Sequence, residues 1–371
     1  MINLFQPSLG EAEVEAVRDV FLSNWLGPGT RVQAFERMFA EYIGRPANEL
    51  VAVTSCTEAL FQAITALDIG PGDEVLLPSI SFLGAAHAVR NSGARVVLCD
   101  VDSTTLNPTV DHFERSITPN TKAAIILHYG GHHGSAAEIA HLANAQSIFL
   151  IEDAAISLGS FKEEKACGTM GDVGCWSFDS MKILVTGDGG MIWAKSSATA
   201  EKIRSSVRLG VNRSGFERRT HSDQWWEVEP IRLGRWATMN DVTATVGLVQ
   251  LERLPSFLNR RAEVAAQYDA ELSDLTWLRL PSTATSRTAR TFYWVQTTPK
   301  IRDQLAHYLL QKDIYSSFRY WPLHRTQMYR SSESFPGADL ATDSTLLLPL
   351  HQSLSADDVS RVIEAIRAFA P

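Results

Sequence analysis

The sequence predicts an α/β protein: a mostly parallel sheet of seven strands between helices, followed by a smaller C-terminal α+β unit. Three observations carry this. Strand-like and helix-like segments alternate from Leu50 to Ala194. The strands are continuously apolar, as strands covered on both faces are. A chain of 371 residues exceeds what one core usually serves, which points to a large domain over residues 1–250 and a small one over 251–371.

The chain opens helically. Residues 10–23 carry Val14, Val17, Val20 and Phe21 on one side of a helical pattern, and Gly27-Pro28-Gly29 ends it. Residues 32–43 form a second helix with Phe35, Phe39 and Tyr42 spaced for a core. Strands then follow at 51–54, 74–78, 95–100, 122–128 and 147–152, with helices at 58–67, 81–91, 110–117 and 136–145 between them. Residues 173–178 and 190–194 read as two more strands, paired with each other.

Residues 212–231 break the alternation. They are charged and tryptophan-rich, with Trp225 beside Trp226. A stretch without regular pattern inside a domain is often a binding loop; the plainer reading is a surface excursion. A strong helical pattern covers 239–254 and continues over 258–272 beyond Pro255. The last part holds a strand at 291–297, a helix at 302–312 and a closing amphipathic helix at 355–369.

Composition narrows the function classes. The formal net charge is −8 and there is no Lys/Arg block, which argues against a nucleic-acid surface. No apolar run is long enough to span a bilayer, and the first residues lack a basic-then-apolar leader pattern, so a cytoplasmic setting is expected. The four cysteines, Cys56, Cys99, Cys167 and Cys175, form no C-x-x-C pair, so neither a zinc site nor a redox motif is indicated. His132 and His133 are adjacent and point apart, a poor arrangement for a metal.

Three features fall where strands end, the place where ligands bind in open parallel sheets. Thr54-Ser55-Cys56-Thr57 stands between a strand and a helix, able to offer N–H groups and hydroxyls to a phosphate, or simply to cap the helix. Glu152-Asp153-Ala154-Ala155 closes a buried strand, and an acid there needs a partner. Asp153 suits the protonated pyridine nitrogen of pyridoxal phosphate (PLP), or a cap or internal ion pair. The third is Ser177-Phe-Asp-Ser-Met-Lys182, a lysine in an almost uncharged run before the cluster Gly187-Asp-Gly-Gly190. By itself this segment fits a surface lysine; its other use is a desolvated amine that forms a Schiff base with a carbonyl.

Together, in this order, the three features resemble a fold type I PLP enzyme. The chain further resembles the DegT family of nucleotide-sugar aminotransferases over nearly its whole length. The resemblance rests on Asn24-Trp-Leu-Gly-Pro-Gly29, Ser55-Cys-Thr57, Pro78-Ser-Ile-Ser-Phe82, Asp100-Val-Asp102 and His128-Tyr-Gly130. It continues through Glu152-Asp-Ala-Ala155, Gly168-Thr-Met-Gly-Asp172, Lys182, Gly187-Asp-Gly-Gly190 and Tyr320-Trp-Pro-Leu-His324.

The resemblance implies roles. Lys182 would form the Schiff base with PLP and shuttle the proton. Asp153 would pair with the pyridine nitrogen, and Phe82 would stack on the ring. The Ser55-Cys56-Thr57 turn, with Ser177, would bind the phosphate. Trp25, Trp236 and His324 would lie toward the substrate; Arg232 and Arg235 read either as contacts to the substrate's diphosphate or as solvated surface arginines. L-glutamate would donate the amino group, and a nucleotide-linked keto sugar would accept it. The protein would be a homodimer with shared active sites, the 212–231 segment and the region near Met239 reaching the partner's site.

Two positions depart from the family's pattern. Ile156 stands where a glutamine or histidine usually lies near the ring hydroxyl. Trp236 stands where many members have an asparagine that reaches the partner's phosphate, a set of hydrogen bonds an indole cannot make. A branch of the family that aminates dTDP-4-keto-6-deoxyglucose at C4 also lacks that asparagine and shares similar Asn212-Arg-Ser and Ser55-Cys-Thr runs, which tilts the expectation to a 4-amino sugar. The alternatives are a 3-keto sugar, a cyclitol or a non-nucleotide ketone, and, from another class, a non-catalytic regulator on the same fold. Loss of Lys182 or Asp153 would mark the last, and both are present. The related sugar dehydratases carry histidine in place of the lysine.

Overall fold

Apolar strands of four to seven residues form the centre of the protein. The structure is a computed structural model and describes residues 1–211, 224, 226–281 and 287–371. The main sheet holds β1 (Leu50–Val53), β2 (Glu74–Pro78), β3 (Arg95–Cys99), β4 (Thr121–Leu127), β5 (Phe149–Asp153), β8 (Val173–Ser177) and β9 (Gly190–Ala194) in the order β1-β9-β8-β5-β4-β2-β3. The five strands from β8 to β3 run parallel to their neighbours. β9 is antiparallel to both β8 and β1. A small hairpin, β6 (Phe161–Lys162) with β7 (Lys165–Ala166), follows β5.

The crossovers α3 (Cys56–Ala66), α4 (Leu83–Asn91), α5 (Val110–Ser116) and α6 (Ala136–Ala145) cover the sheet, and α7 (Ser197–Ser206) follows β9. Strands buried on both faces match the continuous apolar runs that predicted them. Cys99 and Cys175 are buried strand residues, and all four cysteines are free thiols.

The N-terminal helices are α1 (Glu11–Leu22) and α2 (Thr30–Ile43). In α2 the expected face is buried through Phe35 and Phe39, which pack edge-on against Phe178. In α1 the expected face is not. Val20 is buried, but Val14 and Phe21 are exposed, and the other buried side chain is Glu13. Glu13 turns inward because Gln250, Arg253 and the Gly10 N–H all donate to it.

One helix, α8 (Asp241–Leu272), runs through Pro255 without ending. Leu251, Leu254 and Phe257 share a core with Phe35, Phe39 and Trp176. Val264, Ala265, Tyr268 and Leu272 belong to a second core with Tyr293, Val295, Leu346 and Leu348. The expected 250/251 division therefore falls inside a helix that serves both cores. The C-terminal unit completes itself with β10 (Tyr293–Gln296) antiparallel to β11 (Thr345–Leu348), and with α9 (Pro299–Gln311), α10 (Pro336–Ser344) and α11 (Ala356–Ala368). Asn212-Arg-Ser and Trp225 lie outside the described residues. Among those described, no helix is long and apolar enough to cross a membrane.

Candidate active site

The parallel strands bring the sequence's three features to one end of the sheet. Asp153 is the last residue of β5 and only 1% exposed. Its Oδ1 accepts the Ala155 N–H at 3.1 Å, while Oδ2 is buried without a partner among the described residues. Burial pushes the carboxyl up, and the Ala155 N–H, Lys182 and His128 oppose that. A buried acceptor left unpaired costs about 1–3 kcal/mol, so Oδ2 marks a place where a donor belongs.

Behind Asp153 lies a buried polar pair that sequence reasoning did not single out. His128 Nε2 and Glu152 Oε2 are 2.7 Å apart. Glu152 also accepts the N–H groups of Gly168, Met170 and Gly171, which ties the loop after β7 to the strand that carries Asp153. Burial alone would lower the His128 pKa, but Cys167 and Glu152 beside it hold it up at about 10. The sequence signal was available in His128-Tyr-Gly130 and Glu152-Asp-Ala-Ala155, two adjacent strand ends with complementary polar residues.

Lys182 follows β8 in a turn, its N–H donating to Asp179 O at 2.9 Å. Its charge acts on Asp153, Cys56 and the Tyr320 phenol. Ala155, Ile156, Ser177 and Thr291 line a small crevice with it. Ile156 is buried and its carbonyl accepts from Thr291 Oγ1 at 2.6 Å; its side chain offers no hydrogen bond to a ring hydroxyl.

The turn expected to hold a phosphate lies at the start of α3. Ser55 is the N-cap, its Oγ accepting the Glu58 N–H at 3.1 Å. The capping reading of this turn thus holds for the hydroxyl. The first N–H groups of a helix lack partners along it, so Cys56 and Thr57 present theirs at the mouth of the sheet. Gly190 makes room: a Cβ there would sit 2.6 Å from the Ser55 carbonyl carbon and 2.7 Å from the Cys56 nitrogen. Ser177 is the β8 partner of Gly190 in register, which brings its side chain to the same corner. Burial, then Asp153, push the Cys56 thiol well up, so it remains a neutral packing group.

Phe82 caps α4 and is 43% exposed, its ring edge-on to Tyr320 at 5.6 Å. The absent side chain of Gly84 leaves room between that ring and Thr57 Oγ1. Tyr320 is thus a wall of the site, a role the sequence reading did not give it.

The five expected substrate residues are spread out. Trp25 Nε1 donates to Pro28 O at 3.2 Å. Arg235 pairs with Glu58 at 3.1 Å and lies over the Phe61 ring, next to the start of α3. Arg232 Nε is buried and unpartnered among the described residues. Trp236 is 66% exposed and bridges by its backbone to Arg208. His324 engages Ser79 with one ring nitrogen and Asp339 with the other, stacked on Phe335. Both of its nitrogens are therefore occupied within the chain, and it serves as a brace rather than a free hydrogen-bonding contact.

The chain matches the DegT/DnrJ/EryC1/StrS aminotransferase family over residues 7–367. It is 47% identical over 367 residues to a dTDP-4-dehydro-2,3,6-trideoxy-D-glucose 4-aminotransferase of Saccharopolyspora spinosa, covering 98% of this chain and 95% of the relative. It is 48% identical to the aminotransferase TlmJ of Streptoalloteichus hindustanus, whose crystal structure superposes with a TM-score of 0.95 over 99% of this chain and 98% of that one. The PLP form of the putative sugar aminotransferase Spr1654 from Streptococcus pneumoniae shares the fold, with a TM-score of 0.88 at 24% identity over the full length of both chains. Taken with the sheet order and the lysine and aspartate at its strand ends, these findings show that the chain belongs to the DegT/DnrJ/EryC1/StrS aminotransferase family.

Proposed function

We propose that this aminotransferase binds PLP between Asp153, Lys182 and Phe82. It moves the amino group of L-glutamate to C4 of a nucleotide-linked 4-keto-6-deoxyhexose. The single observation that carries the cofactor assignment is the buried, unpartnered Oδ2 of Asp153 facing a site that Lys182 shares. A protonated pyridine nitrogen is the donor it lacks. When bound, PLP supplies an electron-withdrawing ring and a carbonyl carbon through which nitrogen passes from amine to ketone.

The chain's own residues do the rest. Asp153 holds the ring nitrogen protonated. Lys182 Nζ would hold the cofactor through its carbonyl carbon and, when released, would move the proton. The Cys56 and Thr57 N–H groups, with the hydroxyls of Thr57 and Ser177, bind the phosphate. Phe82 covers one ring face, and Tyr320 supports Phe82 from the side. The C4 preference rests on the 47% identity to a relative named for that position.

The homodimer is supported by exposed apolar side chains that α1 and the following turn leave bare: Phe21, Leu22, Trp25 and Leu26. Exposed apolar side chains this close along the chain favour an interaction surface. A panel of dTDP-, UDP- and GDP-linked 3-keto and 4-keto sugars, each with L-glutamate and the holoenzyme, tests the reading through product mass and the position of the new amine. A 4-amino sugar nucleotide is expected. Amination at C3, or of unlinked ketones alone, contradicts it.

A further inference from the structure

Arg319 stands beside the site with no acidic partner among the described residues. Its guanidinium reaches Met181 Sδ at 3.5 Å and lies over the Phe5 ring at 5.0 Å. Met181 immediately precedes Lys182. The next residue along the chain is Tyr320, whose phenol feels Lys182, Asp153, Arg319 and Cys56 together. The backbone is fixed as well, since Tyr129 Oη donates to the Arg319 carbonyl. A half-buried arginine steadied by a ring and by one N–H donated to a thioether, with no oxygen acceptor for its fork among the described residues, is pre-organised for a planar anion.

Three other arginines of the chain have engagements of their own. Arg325 is taken by Asp339 and Asp343, Arg261 by Gln352 and the carbonyls of Arg290 and Thr291, and Arg235 by Glu58. The amino donor must bring its nitrogen to the position of Lys182 Nζ, and an α-amino acid carries a carboxylate on the same carbon. The sugar's diphosphate lies across the ring from a C4 ketone, further from the reacting centre. We infer that Arg319 binds a carboxylate of the amino-acid donor, giving the site its selectivity for that substrate over simple amines. This rests on the transamination proposed above.

The test uses the holoenzyme and two variants, Arg319→Met, which keeps the packing on Phe5, and Arg319→Lys, which keeps the charge without the fork. The two half-reactions are followed separately by cofactor absorbance, first with L-glutamate and then with the keto-sugar nucleotide. Glutarate binding is measured by calorimetry. Arg319→Met should raise the half-saturating L-glutamate concentration and the glutarate Kd by at least ~10-fold, with Arg319→Lys between it and wild type. The sugar half-reaction should change less than ~3-fold. A loss confined to the sugar half-reaction assigns Arg319 to the diphosphate and overturns the inference, as does no loss in either. If Arg319→Met fails to fold, Arg319→Lys decides alone, and wild-type affinity for both L-glutamate and glutarate refutes the inference. A wild-type enzyme with no response to L-glutamate overturns the proposed reaction itself, and the inference with it.

Discussion

The backbone N–H of His128 donates to the carbonyl of Asp153 at 3.3 Å, so an imidazole and a carboxylate emerge from neighbouring strand ends inside the sheet. The imidazole is held protonated by Cys167 and Glu152, and its charge favours the ionised form of Asp153. This buried cation has a pH signature. Its pKa in the folded chain is about 10, against about 6.5 in an unfolded one. Its stabilisation is therefore complete below about pH 6.5 and fades as pH rises through about 10. The Tm gap between wild type and His128→Gln should be widest near pH 6 and close toward pH 10. A gap that is constant across this range contradicts the assignment.

Asp153→Asn keeps the shape of the side chain and removes the charge that holds the ring nitrogen protonated. The variant should fold and lose at least ~10²-fold in kcat, the scale of losing one preorganised electrostatic partner. Single-turnover absorbance with L-glutamate checks this. Wild-type turnover in the variant would refute the pairing.

Gly190→Ala tests the cup. Its Cβ would stand 2.6 Å from backbone at Ser55, and neither the sheet nor the start of α3 can yield cheaply. A stability loss of about 1–3 kcal/mol is expected, together with weaker PLP binding as the Cys56 and Thr57 N–H groups move. Denaturant unfolding and cofactor titration read the two effects. A stable variant with unchanged affinity would show that the helix start is not the phosphate site.

Leu22→Glu places a charge in the apolar patch of α1, where Leu22 is 77% exposed. Sedimentation should show a shift from dimer to monomer, with activity falling in parallel. An active dimer would remove this face from the interface.

The sheet was legible because its strands are apolar on both faces and its crossovers are helical, a pattern with few alternatives. Asp153 and Lys182 were legible as misfits, an acid at the end of a buried strand and a lysine in an almost uncharged run. The interior of the site was less so. Whether Ser55 caps or binds depends on where its Oγ turns, which only the backbone at Glu58 decides. His324 looked like a substrate contact, yet Ser79 and Asp339, far away in sequence, occupy both its nitrogens. The face of α1 misled for a different reason. Glu13 takes an inward position because Gln250 and Arg253 meet it there, while Val14 and Phe21, apolar by sequence, stay outside. The mixed edge of the sheet depends on β1 pairing with β9, a long-range contact that no local pattern encodes.

The central claim is that Lys182 carries the cofactor. Borohydride reduction of the holoenzyme followed by peptide mass mapping tests it most directly. The cofactor's mass is expected on the peptide containing Lys182, and none on the same peptide from Lys182→Ala, which should also lack transamination. Cofactor fixed on another lysine in the wild-type enzyme, or full turnover by Lys182→Ala, would contradict it.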